Sequence, residues 1–114
     1  MRCAAWASLL KVDTSDTEAY KVRFNTLTSR LLDNVSRAKV YANRRYVVFE
    51  PTTEVGKETF GVFRDGGRNA YCVSLNRLVN QERVLSKERF GKRYKVKKDQ
   101  KGRIYICLTE EVEL

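Results

Sequence analysis

Two alternating runs near the end of the chain constrain its fold most. Tyr94-Lys95-Val96-Lys97-Lys98 and Arg103-Ile104-Tyr105-Ile106-Cys107-Leu108 flank Asp99-Gln100-Lys101-Gly102. Neighbouring side chains of a strand point to opposite faces. A β-hairpin with a four-residue loop then turns Tyr94, Val96, Ile104, Ile106 and Leu108 toward a core. It leaves Arg93, Lys95, Lys97, Arg103 and Tyr105 on the outer face. Such a ribbon, apolar inside and basic outside, commits this stretch to the sheet of a packed domain.

A second pattern points to a helix. Ser15-Asp16-Thr17-Glu18 reads as a capping box, with acidic residues at the positive end of the helix dipole. Tyr20, Phe24, Leu27, Leu31, Val35 and Ala38 then recur at steps of three and four, and Leu32 widens the stripe. The spacing predicts one long amphipathic helix over Asp16–Lys39, on the order of 35 Å long. It would cover a sheet, and its stripe could also serve as a homodimer seam.

The opening residues 1–10 read as a first strand or short helix packed on the core. Arg45-Tyr46-Val47-Val48-Phe49-Glu50 reads as a strand stopped by Pro51, and residues 58–63 as another. Asp65-Gly66-Gly67 is a tight-turn signal, with Arg68–Val73 as the returning strand. Ser74–Leu85, apolar at 75, 78, 79, 84 and 85, reads as a short helix broken near Asn80. Residues 109–114 carry three Glu and read as a loose acidic tail. The expected fold is α+β: one long amphipathic helix packed on an antiparallel sheet of about five strands, ending in a basic β-hairpin. With 114 residues and no repeat, low-complexity tract or linker, residues 1–114 are expected to form a single domain.

Composition narrows the function. The chain has no His, which excludes a His-based triad, an HExxH zinc site and a Cys2His2 finger. No apolar run approaches the roughly 18–20 residues of a membrane span. The opening stretch meets Lys11 and Asp13 without a cleavage site, unlike a secretory signal. Cys3, Cys72 and Cys107 lie far apart in apolar contexts, with no paired metal-ligand spacing. They read as core thiols in a reducing, cytoplasmic compartment. No cofactor, metal or catalytic residue is expected.

The net charge is +9, and Arg83–Arg103 alone carries +8, with ten basic residues against Glu88 and Asp99. The expected function is therefore nucleic-acid binding through phosphates, DNA or RNA, by Arg89, Lys92, Arg93, Lys95, Lys97, Lys98, Lys101 and Arg103. Tyr105 would stack on a base if the target were single-stranded. The hairpin would enter a groove as a two-stranded ribbon. Arg23, Arg30 and Arg37, spaced by seven along the expected helix, and then Arg44 and Arg45, form a secondary basic stripe.

Other motifs are weaker. Lys57–Phe63 holds an aromatic-Gly-aromatic element but lacks the basic-Gly opening of RNA-recognition domains, so Phe60 or Phe63 is read as core. A winged-helix protein also places a basic hairpin after a helix, but the preceding meander does not fit that fold. Asp65 and Asp99 lie in turns, which do not hold a nuclease metal rigidly. Two alternatives stay open. One is a small accessory or virus-encoded factor that docks an acidic host protein through the helix or the Trp6 region. The other is a His-free toxin-type ribonuclease using the hairpin lysines with Tyr71 or Tyr105.

Overall fold

Alternation of period two recurs along the chain, and in the computed structural model it produces strands. The structure describes residues 5–13, 18–32, 35–56, 59–64 and 70–113. Among them nine strands form: β1 (Trp6–Asp13), β2 (Glu18–Phe24), β3 (Arg37–Ala42), β4 (Tyr46–Thr52), β5 (Thr59–Gly61), β6 (Phe63–Arg64), β7 (Tyr71–Ser74), β8 (Lys92–Lys98) and β9 (Ile104–Glu111). All pair antiparallel in one sheet, in the order β5-β3-β4-β9-β8-β1-β2-β7-β6.

The ends of that order are joined in the chain. β5 and β6 flank the single residue Val62. Residues 59–64 therefore run as one bent segment, pairing with β3 through Thr59–Gly61 and with β7 through Phe63–Arg64. The Val62 N–H, at the bend, donates to the Ser36 carbonyl at 2.9 Å. The sheet thus returns on itself as a nearly closed barrel. Closure leaves little unpaired edge for another chain to extend.

Inward residues of successive strands fill the barrel: Ala7 and Leu9, Tyr20, Val22 and Phe24, Ala38 and Val40, Val47 and Phe49, Tyr94 and Val96, Ile104 and Ile106. Phe24 and Phe49 meet edge to face at 5.1 Å, a favoured aromatic geometry. After β7 the chain makes a π-helical turn, Arg77–Gln81. Leu75, Leu78, Val79 and Leu85 add to the core, whereas Val84 is exposed. The Arg77 guanidinium lies 4.0 Å from the Phe60 ring centre.

The expected long helix does not form. Residues 18–24 are β2, residues 37–42 are β3, and the helix between them, α1 (Thr26–Ser29), has four residues. A 3₁₀ turn, Arg30–Leu32, follows it. The reason lies in Glu18-Ala19-Tyr20-Lys21-Val22-Arg23-Phe24, where Tyr20, Val22 and Phe24 are all buried. A helix stripe through Tyr20 and Phe24 would put Val22 on the opposite, wet side. Asn25 then caps α1, its Oδ1 accepting from the Thr28 N–H at 3.0 Å. Leu27 and Leu31 of the expected stripe are 40% and 38% exposed. Of the expected capping box, Ser15, Asp16 and Thr17 lie outside the described residues. Glu18 opens β2 and accepts a hydrogen bond from the Tyr20 hydroxyl at 2.6 Å. A homodimer seam on a helix 16–39 has no helix to form on.

Two smaller expectations also change. β4 continues through Pro51, opposite Ala38. Counting pairs from the Asn43 N–H···Tyr46 carbonyl bond at 2.9 Å, Ala38–Pro51 is a non-hydrogen-bonded pair, so the missing N–H breaks no bond to β3. On the other side, β9 pairs with β4 only as far as Phe49. Residues 109–111, expected in a loose tail, complete β9, and the Val112 N–H donates to the Arg93 carbonyl at 2.8 Å. Of the two candidates for the core, Phe60 is the buried one, as the either-or expectation allows, and Phe63 is 45% exposed. The Asp65-Gly66-Gly67 turn, residues 68–69 and Cys3 lie outside the described residues, while Cys72 and Cys107 are both buried.

Candidate nucleic-acid interface

The hairpin β8–β9 forms where alternation places it. Asp99 organises its loop. The carboxylate accepts from the backbone N–H groups of Lys101 and Arg103, both at 2.9 Å, from Arg103 Nε at 2.7 Å and from the Tyr105 hydroxyl at 3.1 Å. Burial pushes the Asp99 carboxyl up, but the bonds from Arg103 and Tyr105 outweigh it and hold its pKa down to about 2. Gly102 closes the loop at φ +82°, a conformation that costs a residue with a Cβ of order 1 kcal/mol.

The faces divide as the alternation predicts along β8 and the start of β9, whereas Ile106, Cys107 and Leu108 are all buried. Tyr94, Val96, Ile104, Ile106 and Leu108 are buried, and Arg93, Lys95 and Lys97 are exposed. The ladder is interrupted by a bulge between Tyr94, opposite Glu111, and Lys95, opposite Cys107. This brings the acidic end of β9 alongside the lysines.

The expected phosphate contacts therefore fall into groups. Lys97 pairs with Glu110 at 3.2 Å and Lys92 with Glu111 at 3.1 Å. These bonds raise both lysine pKa values. Arg103 is bound to Asp99. Arg89 is half-buried, and its guanidinium donates to the carbonyls of Leu108 at 3.1 Å and Arg44 at 3.2 Å. It fastens the segment before β8 to β9 and to the β3–β4 turn. Its bonds are internal, unlike those of a side chain held out to a ligand. Arg93, Lys95, Lys98 and Lys101 are exposed, with no ion pair among the described residues.

The secondary stripe is dispersed with the helix that was to carry it. Arg23 lies on β2, Arg30 follows α1, and Arg44 and Arg45 sit in the β3–β4 turn. Arg37 on β3 donates to the Thr59 Oγ1 at 2.8 Å and to its carbonyl at 3.2 Å, holding the barrel seam.

Aromatic residues that the charge pattern did not single out join the outer face of the hairpin. Trp6 on β1 stands opposite Lys95, and Tyr46 on β4 stands opposite Cys107. The Tyr46 and Tyr105 rings meet edge to face, 5.6 Å apart at 86°. Burial, and then the bond to Asp99, raise the Tyr105 pKa, so the phenol stays neutral. The signal was available: Trp6-Ala7-Ser8-Leu9 and Tyr46-Val47-Val48-Phe49 read with period two once Ala7, Leu9, Val47 and Phe49 are known to face inward. Beside this face lies an open depression of about 600 Å³, bounded by Arg23, Lys92, Arg93, Glu111 and Glu113. Its mixed charge gives no single sign of ligand.

Tyr71 and Tyr105, the tyrosines named for a ribonuclease, stand on β7 and β9, four places apart in the sheet order. No group of three or more His, Cys, Asp or Glu that could hold a metal occurs among the described residues. No helix among them is long and apolar enough to cross a membrane. No protein-family profile matches this chain, and neither a curated protein nor a solved structure does.

Proposed function

We propose that this barrel binds nucleic acid through the outer face of β8 and its neighbours β1 and β9. The observation that carries this reading is one row: Arg93, Lys95 and Lys97 exposed along one side of β8, with Trp6 and Tyr105 beside them. Cations on one rigid strand neutralise successive phosphates and release their counterions, which gives affinity with little sequence choice. The exposed pairs Lys97–Glu110 and Lys92–Glu111 cost little to exchange for phosphate, since surface ion pairs are worth about 0–1 kcal/mol. The net charge of +9 steers any polyanion toward the molecule; the row on β8 would give that attraction a site.

Fluorescence anisotropy with single- and double-stranded DNA and RNA at about 50 and 200 mM salt tests the reading. A log–log salt slope steeper than roughly −4 is expected for an organised set of phosphate contacts. Replacing Lys95 and Lys97 together by Glu is expected to weaken binding at least about tenfold and leave the melting temperature close to wild type. A double variant that binds as tightly as wild type would place the site elsewhere.

A further inference from the structure

We infer that the ligand of this face is a single strand that crosses the β-strands, stacking its bases on Trp6 and on the Tyr46–Tyr105 pair; this rests on the nucleic-acid reading above. The first reason is topological. A two-stranded ribbon enters the major groove of a duplex, which is about 12 Å wide, because nothing flanks it. Here β9 is paired with β4 and β8 with β1. The hairpin is thus the middle of a continuous sheet and cannot be inserted into a groove. Its outer surface can only be laid against a ligand.

The second reason is register. Following paired residues across the sheet gives two rows on its outward side: Tyr41–Val48–Tyr105–Lys97, and Tyr46–Cys107–Lys95–Trp6, in which Cys107 is covered and the other three reach the surface. Both run across the strands and combine aromatic rings with lysines. From β3 to β1 they cover four inter-strand steps of about 4.8 Å, so on the order of 20 Å in all. That suits a site of roughly four nucleotides, the low end for a small barrel. Every base has a flat face, so rings that lie beside lysines accept a single strand without reading its sequence. A duplex hides those faces. The opposing account is that the rings serve only as cross-strand packing, and the experiment separates the two.

Trp6 is the one tryptophan of the chain, so its emission reports the site directly. Oligo-dT and oligo-U of about eight nucleotides and a duplex of equal length are titrated into the full chain. The single strands are expected to bind at least about tenfold more tightly than the duplex and to quench Trp6. Trp6→Leu and Tyr105→Leu are each expected to weaken binding by about fivefold or more. Tyr105→Phe, which keeps the ring, stays near wild type. Duplex binding as tight as single-strand binding, or saturation without a change in Trp6 emission, overturns the inference while the lysine interface stands, provided Lys95→Glu/Lys97→Glu still weakens binding. No binding of any probe at low salt overturns both.

Discussion

The Asp99 carboxylate does at the scale of one residue what the hairpin needs. Four donors converge on it, and its pKa falls to about 2, against about 3.9 in an unfolded chain. A carboxyl whose folded pKa is depressed contributes stability that is fully present above the unfolded value. That contribution is lost as pH falls through the folded one. Asp99→Asn is therefore expected to melt below wild type at pH 7, with the gap closing between about pH 4 and pH 2. Melting temperatures over that range check it. Equal stability at pH 7 would mean that the backbone turn at Gly102 holds the loop alone. Only part of this scale was legible beforehand. Turn chemistry marked Asp99–Gly102 as a loop, because those residue types act locally. The reach of Arg89 to Leu108 and Arg44 links positions far apart in the chain and has no local signature.

At the scale of elements, the segment 18–24 decides between helix and strand. Tyr20 and Phe24 are four residues apart, an interval common to a helix face and a strand face. Val22 between them is the discriminating residue, and it is fully buried. Val22→Ala is expected to cost about 1–3 kcal/mol. Leu27→Ser, at a position 40% exposed, is expected to stay within about 0.5 kcal/mol of wild type. Urea denaturation of both variants measures this. The reverse ranking would restore the helix, on which Leu27 is core and Val22 is surface. The hairpin strands were easier to read because a loop signal and strict alternation agreed over the same residues. In residues 16–39 the capping pattern and the three-four spacing competed with the alternation, and long-range pairing to β1 and β7 prevailed over local preference.

For the whole molecule, closure is the consequential feature. The radius of gyration is 13.3 Å, near the roughly 13 Å of a packed chain of about 100 residues. The weakest part of the ring is its seam, since β5 pairs through three residues and β6 through two. Short pairings open at low free-energy cost. Backbone amides of residues 59–64 are expected to exchange with deuterium faster than those of residues 22–24 and 104–107, as followed by NMR. Uniform protection would mean that the ring opens only when the whole protein unfolds.

Residue order alone marked the hairpin as alternating, the way it faces and the place where its positive charge gathers. These follow from period two, turn residues and residue identity, all of which act within a few positions. Folding as a whole made residues 18–24 and 37–42 strands, set β1 between β8 and β2, and closed the ring with residues 59–64. It also decided which cations meet Glu110, Glu111 or Asp99 and which stand beside Trp6 and Tyr105. Those outcomes depend on pairing between distant segments, where the burial of Val22 or Ala38 against a remote strand outweighs the preference of the local chain.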